Sequence, residues 1–146
     1  LNELGLSTLQ LRMEKHCQNA AGLAQFLAEQ PEVREVNYPG LKSSPYYERG
    51  QDLFSLGAGG MITLKLGSKD RAFKVINNLD YFYNLANLGD VKSLVIHPAS
   101  TIYSNNTTAE KEELGVTEDL IRISVGIEAL EDLKEDFHQA LRAVGE

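Results

Sequence analysis

The residues best suited to chemistry in this chain stand on one short run, Ile121-Arg122-Ile123-Ser124-Val125. Alternation along a strand puts Ile121, Ile123 and Val125 on one face and Arg122 with Ser124 on the other. A guanidinium presents a rigid fork of donors that matches a carboxylate at two points, so an arginine there suits an amino-acid ligand. Pattern alone leaves a plainer reading open, a solvated arginine on the open face of a sheet. His97-Pro98-Ala99-Ser100-Thr101 follows the apolar run Ser93-Leu94-Val95-Ile96 directly, and loops leaving strand ends often carry functional residues. The same residues also make an ordinary turn, in which Pro98 ends the strand and Ser100 or Thr101 bonds the local backbone.

Other candidates carry less. His16, His97 and His138 lie far apart, and Cys17 falls on the apolar stripe of a helix, so no metal-ligand spacing arises and no metal site is expected. Gly57-Ala58-Gly59-Gly60 lacks the lysine and the strand–glycine–helix setting of a phosphate loop. No nucleophile motif is recognisable. Glu110-Lys111-Glu112-Glu113 reads as a solvated helix face, and the glycosylation-type triplets at Asn105 and Asn106 read as chance. These residues offer binding without a catalytic group of their own.

The elements that position them follow from periodicity. Ser7 and Gln10 have capping-box spacing at the start of a long helix over about 7–30, in which Leu9, Met13, Cys17, Ala20, Ala24 and Leu27 recur at helical spacing. Pro31 stops it. A strand is expected over Val33 to Tyr38, a short helix over Tyr46 to Ser55, and a flexible connection at Gly57–Gly60. Met61 to Leu66 reads as a strand with Ile62, Leu64 and Leu66 on one face. Ser68 caps a helix with Ala72, Phe73, Ile76 and Leu79 as its buried stripe. Tyr81-Phe82-Tyr83 and Ser93 to Ile96 are short strands, and Thr107 with Glu110 caps a helix ending at Gly115. Leu120 to Val125 is the last strand, and Leu130, Leu133, Phe137, Ala140, Leu141 and Val144 mark the closing helix. This order makes an α/β domain whose sheet is covered by helices on at least one side.

At 146 residues one core is expected, and no internal repeat or second-domain linker appears. Hydrophobic residues are 42%, with no run of the roughly 20 apolar residues that span a bilayer. Leu1-Asn2-Glu3-Leu4-Gly5 has neither a basic nor an apolar leader region, and no initiator Met, so the chain is expected to begin inside a longer protein. A net charge of −7 argues against nucleic acid as a partner. A lone cysteine fits a reducing compartment, and a cytoplasmic location with no membrane partner is expected.

The run Leu85-Ala86-Asn87-Leu88-Gly89-Asp90-Val91-Lys92-Ser93-Leu94-Val95-Ile96-His97-Pro98-Ala99-Ser100-Thr101 strongly resembles the cysteine/methionine-metabolism family of pyridoxal-phosphate enzymes. Asp119-Leu120-Ile121-Arg122-Ile123-Ser124-Val125-Gly126-Ile127-Glu128 is similar to a second landmark of that family. Leu11 to Cys17 and Asn37 to Leu41 look like two more, in the family's order, so the likeness spans essentially the whole chain. Within the family, the form with asparagine at position 87 and Ser-Leu-Val-Ile-His-Pro from Ser93 most resembles O-acetylhomoserine sulfhydrylases.

The resemblance implies the small carboxyl-terminal domain of a fold-type I enzyme, residues 1–146, with a mostly antiparallel sheet and helices packed on one face. It implies γ-replacement, in which acetate leaves O-acetylhomoserine and sulfide or a thiol adds to give homocysteine or methionine. Methionine γ-lyase or a cystathionine synthase or lyase is the alternative within the family, and a non-catalytic binding or assembly module is the alternative outside it. By position, Arg122 matches the arginine that holds the substrate α-carboxylate, and Asn87 and Leu88 match the segment beside it. His97, Ser100, Thr101 and Tyr103 match a loop at the substrate entrance, although Ile102-Tyr103 departs from the Thr-His often found there. The lysine that carries the cofactor belongs to the family's large domain, which precedes these residues. No catalytic residue and no bound pyridoxal phosphate are therefore expected in this chain alone. The implied partners are the missing large domain and further copies in a homotetramer.

Overall fold

The computed structural model describes residues 2–145, the side chain of residue 2 aside. Its elements run α1 (Asn2–Ser7), α2 (Leu9–Ala28), β1 (Glu35–Asn37), α3 (Tyr47–Leu53), β2 (Met61–Lys65), α4 (Lys69–Asn78), β3 (Tyr83–Asn84), β4 (Leu94–Ile96), α5 (Thr108–Glu113), β5 (Leu120–Ser124) and α6 (Leu130–Gly145), with a 3-10 turn at Pro98–Ser100. The five strands form one sheet in the order β1-β2-β5-β4-β3. All neighbours pair antiparallel except β3 and β4, which run parallel. β5, the strand of Arg122, is therefore central.

Alternation explains the register. Ile62 and Leu64 of β2 face Ile123 and Ile121 of β5, and all four are fully buried, so a slip by one residue would turn this set away from the core. Onto that face pack Ala20, Leu23, Ala24 and Leu27 of α2, Ala72, Val75 and Ile76 of α4, and Leu133, Phe137, Ala140, Leu141 and Val144 of α6. The rings of Phe82 and Phe137 meet edge-on with centroids 4.9 Å apart. Burial of each large side chain contributes about 1.5–3 kcal/mol, so this helix-covered face holds most of the fold's stability. The α/β order follows from the sequence pattern, and the mostly antiparallel sheet with helices packed on one face is what the family resemblance implies.

The helix starts divide into two groups. Ser68 Oγ accepts from Arg71 N, and Thr107 with Glu110 completes a reciprocal capping box, both as the sequence predicts. The Ser7–Gln10 pair does not cap. Helix has already begun at Asn2, Ser7 Oγ donates back to Leu4 O at 2.8 Å, and Thr8 breaks the run before α2 resumes without a side-chain cap. A serine hydroxyl that finds a carbonyl one turn back is lost to capping.

Other boundaries shift for identifiable reasons. The predicted stripe on α2 is shorter than its sequence pattern, since Leu9 and Met13 are exposed and Cys17 half-buried, while the polar His16 and Asn19 are buried. β1 covers only Glu35–Asn37 of the expected 33–38, because Tyr38 turns inward, buries its ring and donates from its hydroxyl to Gly59 O at 3.1 Å. That burial, with Cys17 nearby, pushes the Tyr38 phenol up to about 12. In α4 Val75 is buried where Phe73 was expected; Phe73 lies half-buried, edge-on to His97 at 4.8 Å. β3 begins at Tyr83 rather than Tyr81, because the buried Asp136 carboxylate of α6 accepts from both Asp80 N and Tyr81 N at 2.9 Å and draws that turn out of the ladder.

Among the described residues, the opposite face of the sheet carries no helix comparable to α2, α4 or α6. The irregular segments around β3–β4 and after β4 bury Leu94, Ile96, Ala99, Val116 and Leu120 there. Arg122 opens onto this face.

Candidate functional site

Cross-strand register builds a row on the open face. Asn37 on β1 stands opposite Thr63 on β2, Thr63 opposite Arg122 on β5, and Arg122 opposite Ile96 on β4. Alternation, which buries Ile121 and Ile123 on the far side, leaves Arg122 half-buried on this one. Arg122 Nη2 donates to Asn87 O at 3.0 Å. Among the described residues this is its hydrogen bond to the protein, and no carboxylate pairs with it. The other donors of the guanidinium fork are left for an external acceptor.

The Asn87 segment is shaped by local polar contacts. Asn87 Oδ1 accepts from Leu88 N at 2.9 Å, and Asp90 Oδ1 accepts from Lys92 N at 3.0 Å. Between them Gly89 adopts φ +71, which a side chain rarely tolerates. Asn87 and Leu88 both face solvent. The structure thus brings Asn87 to Arg122 through its main chain, with the Leu88 side chain outward.

The run after β4 divides in two. His97 is buried, its Nε2 donates to Glu118 O at 2.8 Å, and its Nδ1 lies 2.8 Å from Ser100 Oγ. Thr101 Oγ1 donates to His97 O at 2.8 Å. His97, Ser100 and Thr101 therefore satisfy one another and the adjacent backbone. Ile102 and Tyr103 instead line a pocket of about 220 Å³ with Asn37, Thr63, Leu114 and Arg122. Tyr103 is held there by its N–H, which donates to Pro98 O at 3.0 Å. A pocket with one cation, a few neutral polar groups and aliphatic walls suits a small carboxylate with an apolar portion.

Sequence reasoning missed two polar groups at the rim. Asn37 and Thr63 become visible as a row only when the strand order is known. The Glu128 carboxylate accepts from Ser93 N at 2.7 Å and from Ser93 Oγ at 3.0 Å, and Ser93 Oγ accepts from Gly126 N at 2.8 Å. A serine just before one strand and a glutamate just after another give no local signal of such a pair.

Against known proteins, residues 1–142 match the family described as Cys/Met metabolism PLP-dependent enzyme. O-acetyl-L-homoserine sulfhydrylase 1 of Thermus thermophilus is 43% identical over 139 residues, which are 94% of this chain and 33% of the relative. L-methionine gamma-lyase of Pseudomonas putida is 44% identical over 140 residues, 95% of this chain and 35% of the relative. The crystal structure of a protein assigned as an O-acetylhomoserine (thiol)-lyase from Campylobacter jejuni, which carries N′-pyridoxyl-lysine-5′-monophosphate, superposes with a TM-score of 0.92 at 38% identity, over 95% of this chain and 33% of that one. This chain spans about a third of the length of the curated relatives it matches. The central arginine strand, the segment that meets it and the fold around them thus belong to a member of the Cys/Met metabolism family of PLP-dependent enzymes.

Proposed function

We propose that this chain is the carboxyl-terminal, substrate-binding domain of an O-acetylhomoserine sulfhydrylase. The observation that carries the reading is Arg122: one donor is fixed on Asn87 O, and the rest of the fork is free at the wall of a small amphipathic pocket. In the whole enzyme Arg122 holds the substrate α-carboxylate, the Asn87–Leu88 main chain frames it, and Tyr103 borders the route by which sulfide or thiol enters. Two donors to one carboxylate fix its orientation as well as its position.

Pyridoxal phosphate would need a lysine to hold it, and the pocket beside Arg122 has none in its lining. The residues around Arg122 therefore fit the substrate's side of such a site, with the lysine supplied by the rest of the enzyme. When bound in the whole enzyme, that cofactor supplies an electron sink for carbanions of the substrate. The chain's own work is orientation, through a charge-assisted pair of about 1.5–3 kcal/mol. By itself it turns over no substrate. Leu4, Leu6, Leu11, Leu56 and Leu88 are all more than half exposed, which supports their being covered by the remainder of the enzyme or by further subunits.

The test is an assay of the whole enzyme given O-acetylhomoserine and sulfide. Homocysteine with release of acetate is the expected product. An α-keto acid without homocysteine would instead establish elimination, the activity in the name of the Pseudomonas relative.

A further inference from the structure

We infer that Glu128, through Ser93, is a positioning residue that sets the Asn87 segment against Arg122. This rests on the reading of Arg122 as the substrate's carboxylate partner. Besides Lys92, whose Nζ donates to Tyr83 Oη at 3.2 Å, the segment between β3 and β4 shows few side-chain contacts to the rest of the fold. Its side chains Leu85, Leu88 and Val91 are exposed, and two of its polar contacts, Leu88 N to Asn87 and Lys92 N to Asp90, are internal. At one end Arg122 holds Asn87 O. At the other, four hydrogen bonds converge on the last residues before β4. Ile127 N donates to Val91 O at 2.9 Å, Glu128 takes both donors of Ser93, and Ser93 Oγ takes Gly126 N.

Glu128 is itself held. Asn19 on α2 donates from Nδ2 to Gly126 O at 3.0 Å and to Glu128 O at 2.8 Å, and His16 Nδ1 donates to Val125 O at 2.7 Å. The turn from β5 into α6 is thus fixed to the core helix and in turn fixes Ser93. Space is as tight as the bonding. A Cβ at Gly126 would meet Glu128 Oε2 and Val91 O, and would lie 2.6 Å from Lys92 C. A carboxylate accepting two donors from one residue in such a site constrains both distance and angle. Arg122 lies on β5 just before this turn, and Asn87 lies in the β3–β4 segment just before Ser93, so the clamp sets the separation at which the two meet.

The test uses the holoenzyme with O-acetylhomoserine and sulfide as probes, and compares Glu128→Gln, Ser93→Ala, the double variant and Arg122→Lys. Glu128→Gln and Ser93→Ala are each expected to raise KM for O-acetylhomoserine roughly tenfold and to leave kcat within about twofold, since misplacing a substrate anchor weakens binding. The double variant matches the worse single, because both act through one clamp. A merely structural role predicts something else: lost folded enzyme lowers apparent kcat and leaves KM unchanged, and that result overturns the inference. If Arg122→Lys raises KM and the clamp variants do not, the inference falls and the reading of Arg122 stands. If Arg122→Lys also leaves KM unchanged, both fall.

Discussion

Arg122 Nη2 donates to the main-chain oxygen of Asn87 at 3.0 Å, tying the central strand to a segment 35 residues earlier. Because the acceptor is a carbonyl, the contact survives any side chain at position 87 that keeps the backbone path. It neutralises none of the arginine's charge, and it favours one placement of the long side chain. A guanidinium held in this way loses less entropy when a carboxylate arrives.

Gly126 marks where that geometry is least tolerant. A methyl group there collides with the Glu128 carboxylate and with the main chain at Val91 and Lys92. Gly126→Ala is expected to destabilise the fold by about 3 kcal/mol, near the upper end for overpacking. Urea denaturation of the two proteins side by side measures this, and unchanged midpoints would show that the turn relaxes freely.

Asp136 anchors the approach to β3. It is 4% exposed and accepts from Asp80 N, Tyr81 N and Gln139 Nε2. Asp136→Ala strands two main-chain donors and is expected to cost about 2–4 kcal/mol, from about 1–3 for each buried donor reduced by the exposure of Asp80 and Tyr81. Hydrogen exchange should show faster exchange at Asp80 and Tyr81 first. Uniform protection there would mean the turn is held by packing of Phe82 instead.

The acid limb of stability has a definable contributor in Asp119. Burial pushes its carboxyl up, but hydrogen bonds from Thr117 Oγ1 at 2.6 Å and Gly67 N at 2.9 Å outweigh that, and the net direction is down. A carboxylate lowered on folding contributes stability in full above its ordinary value of about 3.9, and loses it as pH falls through the lowered folded value. Denaturation of wild type and Asp119→Asn across the acid range is expected to show a gap at neutral pH that closes only in that window. A gap independent of pH would assign the effect to hydrogen-bond geometry rather than charge.

Much of this was legible in the sequence where the signal is local. Ile62 and Leu64 alternate because one face of β2 is buried, with Leu66 buried just beyond its end, and Ser68 and the Thr107–Glu110 pair cap because their partners lie three residues away. Ser7 has the same local grammar and fails, since helix on its N-terminal side offers it a carbonyl. The long-range polar contacts were not legible. Glu128 meets Ser93 over 35 residues and Asn19 reaches Glu128 over 109, and only the strand order brings them together. Arg122 could be assigned to a face of its strand from pattern, but its partner on the Asn87 main chain could not.

The central claim is that Arg122 holds the substrate's α-carboxylate, and a carboxylate-specific cycle tests it most directly. The holoenzyme and its Arg122→Lys variant are each assayed with O-acetylhomoserine and with the corresponding amide, which lacks the negative charge. For the acid, kcat/KM is expected to fall by about tenfold or more in the variant, the loss of a two-point charged contact worth about 1.5–3 kcal/mol. For the amide it is expected to change little. Equal losses for both substrates would show that Arg122 supports the fold and does not grip the carboxylate.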